Sequence, residues 1–159
     1  LFHICIMNHG DTILSFSKIL VGIDQSESSD LTFEYAIRLS KLSGAKIYLV
    51  YVIEIPQAAG SFVGISDLEK YFEEEAQKLL DSIVMRVTKK FNFGENDDNV
   101  ERIIKKGHPS KVILDLSKSI GVDLIVVGSR GIGGVKEFLL GSVSHTVARH
   151  ASVPVLIVK

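Results

Sequence analysis

Five short runs rich in β-branched residues punctuate the chain: 18–23, 46–53, 100–106, 123–128 and 154–158. Between successive runs lie stretches long enough for helices, with apolar residues recurring at helical spacing. Strands separated in this way cannot be joined by hairpins. They pair in parallel through right-handed crossovers, with helices on both faces. The expected fold is therefore a single α/β domain of three layers around a five-stranded parallel sheet. The run at 123–128 is the most apolar, whereas Glu101, Arg102, Lys105 and Lys106 mark 100–106 as an edge strand.

The intervening segments carry their own punctuation. Ser26 is placed to cap the first helix, with Glu27 in its first turn, and Gly44 to close it. Leu31, Tyr35, Leu39 and Leu42 form its expected buried face. Ser66 to Glu69 has the form of a capping box, and Leu68, Phe72, Ala76, Leu79, Ile83 and Val87 mark one face of a long second helix. The acids Glu73 to Glu75 on that helix read as a solvated face rather than a metal site. Pro109 opens a third helix that buries Val112, Ile113, Leu116 and Ile120, and residues 142–150 form a short fourth. Residues 54–65, with Pro56, Gly60 and Gly64, read as a loop and a candidate lid, and 92–99 as a polar turn. Residues 1–17 stand apart as an N-terminal extension, and 18–159 form the domain.

Charge and cysteine content narrow the partners. With 18 basic against 19 acidic residues the net charge is -1. Nucleic-acid binding, which needs a concentrated basic surface, is not expected. Nor is a membrane span, since no apolar stretch approaches the roughly 20 residues required. Cys5 is the only cysteine, so no intrachain disulfide forms and a cytoplasmic location is expected.

The segment after the fourth strand carries the chemistry. Between Gly128 and Gly141 stand five glycines within fourteen positions, including Gly131, Gly133 and Gly134, and Gly141-Ser142 leads directly into a helix. Glycines permit positive φ and close backbone approach, and a helix start offers unpaired N–H groups and a partial positive charge. The combination suits a phosphate. The Ser142 hydroxyl, and secondarily that of Ser144, add candidate hydrogen bonds. Arg130 and Lys136 are the loop's only cations, suited either to screening phosphate or to facing solvent. The alternative is that the glycines only make turns. No lysine precedes Ser142, so this is not a Walker loop, and the dinucleotide fingerprint belongs after a first strand.

The spacing Gly128, two residues, Gly131, nine residues, Gly141-Ser142 resembles the nucleotide-binding branch of the universal stress protein family. The opening Lys-Ile-Leu-Val-Gly-Ile-Asp from Lys18 and the closing Gly-Ser-Val-Ser and Arg-His-Ala-Ser-Val-Pro-Val-Leu-Ile-Val extend the resemblance over 18–159. It implies a sheet of order 3-2-1-4-5 and a bound adenine nucleotide, ATP or else AMP or ADP, accompanied by Mg²⁺ or Mn²⁺. The phosphate cradle would comprise Gly128, Arg130, Gly131, Gly133, Gly141, Ser142, Val143 and Ser144. The resemblance further places Asp24 near the adenosine, the backbone of Val52 against adenine and Gly22 beside the base. Asp24 has a structural alternative, capping the helix that follows, and as a ligand it would reach a metal only through water. A homodimer through the last strand, Val153 to Lys159, is also implied, in line with its apolar character at a sheet edge.

Phosphoryl transfer needs in-line positioning, charge stabilisation and a group that orients the attacking water. The third element is not evident here. His145 and His150 are five apart and point to different faces of their helix, and His108 before Pro109 reads as a turn residue. The expected function is a nucleotide-dependent switch or sensor in a stress response, with slow or partner-assisted hydrolysis at most and a downstream protein partner. The alternatives are a dedicated ATPase using Asp24, or a dimeric interaction module without nucleotide. A receiver domain would need acids and a lysine that are missing.

Overall fold

The computed structural model describes residues 16–54, 65–92, 99–131 and 140–159. The elements alternate as β1 (Lys18–Ile23), α1 (Ser28–Ser43), β2 (Lys46–Ile53), α2 (Ile65–Phe91), β3 (Val100–Lys106), α3 (Pro109–Ile120), β4 (Leu124–Gly128), α4 (Ser142–His150) and β5 (Val155–Val158). The expected loop at 54–65, the turn at 92–99, the extension before Phe16, and Gly133 and Lys136 lie wholly or largely outside the described residues. Among those described, no helix is long and apolar enough to cross a membrane.

All five strands are parallel, in the order β3-β2-β1-β4-β5. β1 lies at the centre, with Gly22 opposite Val50 of β2 and Val127 of β4. Successive side chains of a strand point to opposite faces, so each buried strand feeds two cores. Ile19, Val21 and Ile23 join Phe33, Ile37, Leu80 and Ile83 under α1 and α2. Leu20, Val50 and Val127 join Ile113 and Val147 under α3 and α4. Asp123 ties the start of this arrangement together, its Oδ2 accepting the backbone N–H groups of Ser17 at 2.6 Å and Lys18 at 2.9 Å.

Gly44 ends α1 in the left-handed region at φ 75°, and its N–H donates to Ser40 O at 2.7 Å, as expected of a glycine cap. Tyr35 and Leu39 pack against the core as expected, but the start of α1 and the two ends of its face differ from expectation. The helix begins at Ser28 after Glu27, without a side-chain cap, because the Ser26 hydroxyl donates to Asp24 Oδ1 instead. Leu42 is 86% exposed and Leu31 37%, while Ser29, Thr32, Phe33, Ala36, Ile37 and Ser40 are buried. The polar members of that face are satisfied locally: Thr32 Oγ1 donates to Ser28 O at 2.8 Å and Ser40 Oγ to Ala45 O at 2.7 Å. Small hydroxyl residues satisfied in this way let the helix lie close to the sheet.

In α2 the buried stripe begins only at Ala76 and continues through Leu80, Ile83, Val84 and Val87, leaving Leu68 and Phe72 exposed. The helix starts at Ile65, so Ser66 lies inside it rather than at its cap. Glu73 pairs with Lys106 at 2.8 Å and Glu75 with Lys78 at 2.8 Å, so these two acids serve surface ion pairs. The reassigned face of α1 has a measurable consequence. Phe33→Ala should cost about 3–5 kcal/mol in urea unfolding, and Leu31→Ala no more than about 0.5 kcal/mol. Comparable losses for the two would return Leu31 to the core.

Candidate functional site

In a parallel sheet a ligand crevice opens at the carboxyl ends of the strands where the crossovers reverse direction. Here that point lies between β1 and β4. A cleft of about 720 Å³ occupies it, reached by residues from β1, β2 and β4 and from all four helices or the segments leading into them. Gly22, Asp24, Val52, Gly128, Arg130, Gly131, Gly141, Ser142, Val143 and Ser144 all line it. Every sequence-expected site residue within the described chain is therefore brought to one place.

Asp24 follows the last residue of β1, and its two carboxylate oxygens have different surroundings. Oδ1 accepts the Ser26 N–H at 2.9 Å, the Ser26 hydroxyl and the Ser29 hydroxyl at 3.1 Å. The Ser29 hydroxyl also lies 2.9 Å from the Asp24 N–H, which it accepts. Oδ1 thus holds the turn into α1, as the capping alternative requires. Oδ2 faces the glycine loop: a Cβ built on Gly131 would lie only 2.8 Å from it. Among the described residues nothing donates a hydrogen bond to Oδ2. One carboxylate thus serves the fold through one oxygen and presents the other to the cleft.

Gly128 and Gly131 are required for space rather than for φ. Among the described glycines only Gly44, Gly107 and Gly121 have positive φ. At Gly128 a Cβ would meet Ser28 Oγ at 3.0 Å, Arg130 O at 3.3 Å and Thr32 Oγ1 at 3.4 Å. Gly141 precedes α4 at φ -63° and ψ 160°, where any residue is tolerated, and its nearest neighbours stand at an ordinary 3.4 Å. The first backbone bond of α4 runs from His145 N to Gly141 O at 2.9 Å. The N–H groups of Ser142, Val143 and Ser144 therefore precede the helical ladder and stand at its positive end. The Ser144 side chain is buried and donates to Ser129 O at 3.1 Å and Gly141 O at 3.0 Å. Its hydroxyl shapes the loop, which leaves the Ser142 hydroxyl, on an exposed residue, as the side-chain donor at this helix start.

Gly22 lines the cleft through its backbone, but the space its side chain would fill is occupied. A Cβ there would lie 2.9 Å from Ile113 Cδ1 and 3.2 Å from Val127 Cγ1. On β2 the peptide groups alternate between neighbours. Lys46 N donates to Ser17 O at 2.9 Å on the β1 side, whereas Ile47 N donates to Asn99 O at 2.7 Å and Ile53 O accepts Gly107 N at 3.0 Å on the β3 side. Val52, in phase with Lys46, turns its carbonyl towards β1, where that strand has already ended at Ile23. This carbonyl is directed at the cleft.

Sequence reasoning missed several lining residues. Ser28 and Thr32 place hydroxyls beneath Gly128, and Ser28 Oγ lies 2.9 Å from Ser26 Oγ, linking it to Asp24. The signal was the hydroxyl-rich run Asp24-Gln-Ser-Glu-Ser-Ser immediately after β1. Gln25 Nε2 donates to Tyr51 Oη at 3.1 Å across the carboxyl ends of β1 and β2. Leu140 and Phe72, both partly exposed, stand at the rim. His108 pairs with Ser110 Oγ at 3.0 Å, and His150 faces Thr146 O at 3.0 Å. Neither these histidines nor His145 lines the cleft.

These features define the class: a doubly wound α/β protein whose crevice at the reversal point holds a carboxylate oxygen with no hydrogen-bond donor among the described residues, beside a helix start suited to anions. The chain belongs to the universal stress protein family, whose sequence pattern matches residues 15–159. It is 37% identical over 147 residues to universal stress protein YxiE of Bacillus subtilis (strain 168), covering 91% of this chain and 99% of that protein. Among solved structures it is similar to hypothetical protein MJ0577, with a TM-score of 0.76 at 29% identity over 92% of this chain and 97% of the other. A universal stress protein in complex with cAMP has a TM-score of 0.68 at 26% identity, covering 91% and 98% of the two chains.

Tyr51 gives the site a titratable reporter. Burial raises its phenol above the ordinary tyrosine value; the Gln25 hydrogen bond opposes this, and the Asp24 charge adds to it. An acid whose pKa is higher folded than unfolded retains its proton better in the native state, so stability falls as pH rises above the unfolded tyrosine range near 10. Tyr51→Phe should flatten this alkaline decline in denaturant melts between about pH 9 and 11. An unchanged slope would show that Tyr51 is not held neutral by its surroundings.

Proposed function

We propose that the cleft binds an adenine nucleotide, with ATP as the physiological ligand, and that the chain acts as a nucleotide-dependent switch or sensor in a stress response. The observation that carries this reading is the placement of Asp24 Oδ2 directly against Gly131 in a cleft that also receives the N–H groups of Ser142, Val143 and Ser144, which precede the helical ladder of α4. Phosphates belong at the helix start, beside Gly128 and Gly131, where a Cβ would intrude and where Arg130 is the one cation among the described lining residues. The base belongs in the opposite, apolar part, where the Val52 carbonyl offers an acceptor to an exocyclic amine. The relative in complex with cAMP supports an adenine nucleotide in this fold.

A divalent cation, Mg²⁺ or Mn²⁺, fits as part of the nucleotide rather than as a resident of the protein. No group of three or more metal-ligating side chains gathers among the described residues. Mg²⁺ is commonly held by phosphates, waters and one or two carboxylates, and Asp24 Oδ2 is oriented to take part through water. The carboxylates lining the described cleft are Asp24 and Glu54, and the expected chemistry is slow or partner-assisted hydrolysis at most. With Cys5 as its only cysteine, the protein is assigned to the cytoplasm.

Substitution at Gly141 tests the cradle with least damage to the fold, since its backbone conformation suits any residue and a Cβ there meets only ordinary contacts. Gly141→Val should weaken ATP binding at least tenfold, about 1.4 kcal/mol, with an unchanged far-ultraviolet spectrum. Retained affinity in the folded variant would remove Gly141 from the phosphate site.

The second element of the proposal is a homodimer through the last strand, Val153 to Lys159. Ile125 N donates to Pro154 O at 3.0 Å and Ser129 N to Val158 O at 2.6 Å, so even positions of β5 face β4. Val155 and Ile157 accordingly turn their peptide groups to the outer edge of the sheet, where no further strand pairs among the described residues. Leu156 packs against the α1 and α2 core and Ile157 against the α3 and α4 core, so the probe is chosen for its outward peptide group and the variant's fold is checked by its far-ultraviolet spectrum. Proline is tolerated where a strand's N–H faces outward. Ile157→Pro should halve the mass measured in sedimentation, and an intact dimer would exclude this edge.

A further inference from the structure

The two-sided arrangement of Asp24 is held by a serine five residues further along the chain. Ser29 lies in the first turn of α1 and is 3% exposed. Among the described residues, the hydrogen bonds of its hydroxyl all go to Asp24. It accepts the Asp24 N–H at 2.9 Å, and its single proton is shared between Asp24 O at 2.8 Å and Oδ1 at 3.1 Å. A serine that only capped α1 would instead accept N–H groups of the helix's own first turn. With its proton donated and its oxygen already accepting, the Ser29 hydroxyl is not free to hold a ligand, although it lies beneath the cleft.

We propose that Ser29 is a positioning residue for Asp24, fixing the carboxylate before a nucleotide arrives so that Oδ2 already stands against Gly131. This deepens the nucleotide reading and rests on it. The physical argument concerns the last side-chain torsion. The χ2 of an aspartate is broad and roughly two-fold, so a carboxylate held by one donor turns easily. Here Oδ1 receives the Ser26 N–H at 2.9 Å, the Ser26 hydroxyl and the Ser29 hydroxyl. Ser26 belongs to the turn that follows Asp24, whereas Ser29 belongs to a helix and is buried. Ser29 alone among these donors ties both the backbone and the carboxylate of Asp24 to a rigid element. With Oδ1 pinned, Oδ2 is left on the side of Gly131, where a Cβ would come within 2.8 Å of it. A group ordered in advance spares the ligand the entropy of immobilising it. Ser29 thereby raises nucleotide affinity without touching the nucleotide.

The test is a double-mutant cycle on the full chain, with ATP and Mg²⁺ as the probe and calorimetry as the readout. Asp24→Ala should weaken binding at least tenfold, and Ser29→Ala at least threefold when Asp24 is present. In the Asp24→Ala background, Ser29→Ala should change affinity by less than twofold, because no carboxylate remains to be positioned. A merely structural serine would lower affinity by the same factor with and without the carboxylate, and that result would overturn the proposal. Wild-type affinity in Ser29→Ala, or in Asp24→Ala, would also overturn it while leaving the cleft a nucleotide site. A wild-type chain that does not bind ATP would overturn both. Ser29→Cys covers the case in which Ser29→Ala does not fold, since it keeps the size of the side chain and replaces the hydroxyl with a weak donor. It should show the same loss and the same dependence on Asp24, and wild-type affinity in this variant would contradict the assignment.

Discussion

The arrangement depends on β1 being paired on both edges in parallel, to β2 through Lys18–Ile23 and to β4 through Ile19–Gly22. Crossovers leave β1 in one direction towards β2 and β3 and return to the other side for β4 and β5. Among the described residues no crossover helix covers the carboxyl end of β1 itself. A crevice at that point is therefore a consequence of strand order, before any side chain is considered. Asp24 stands at its mouth because it is the first residue after β1, and Gly128 faces it because it is the last of β4.

From that geometry the division of labour follows. β1 sends Ile19, Val21 and Ile23 to one core and Leu20 to the other, so only its carboxyl end is free for function. The Asp24 carboxylate is split between holding the turn into α1 and facing the loop. α4 begins close by, and its first three N–H groups lie outside the helical ladder. Polar and apolar linings share one cleft, with α3 supplying the apolar wall, the start of α1 the hydroxyl floor and the start of α4 its N–H groups.

Much of this was legible in the residues. The β-branched runs located every strand to within a residue, and the charges of 100–106 marked an edge, because burial on both faces demands apolar residues and edges do not. Gly128, Gly131, Gly141 and Ser142 converge on one cleft as their spacing suggested. What periodicity misread was part of the face of α1, where Tyr35 and Leu39 do pack against the core. Leu31 and Leu42 are the larger apolar side chains, but Ser29, Thr32 and Ser40 are the ones buried, their hydroxyls satisfied by nearby groups. Hydrophobicity alone does not register such bonds. The reason for the glycines was also different: close approach of Asp24, Ser28 and Ile113, not positive φ, excludes side chains at 131, 128 and 22. Those contacts join segments 91 to 107 residues apart and are invisible to local pattern.

The central claim is that the crevice between β1 and β4 holds an adenine nucleotide. Calorimetric titration of nucleotide-free protein with ATP and Mg²⁺, followed by chromatography of the same sample, tests it most directly. One saturable site per chain, with ATP recovered largely intact, is the expected result. No heat of binding, together with no thermal stabilisation where roughly 2.7 kcal/mol is due at a hundredfold excess over the dissociation constant, would contradict it.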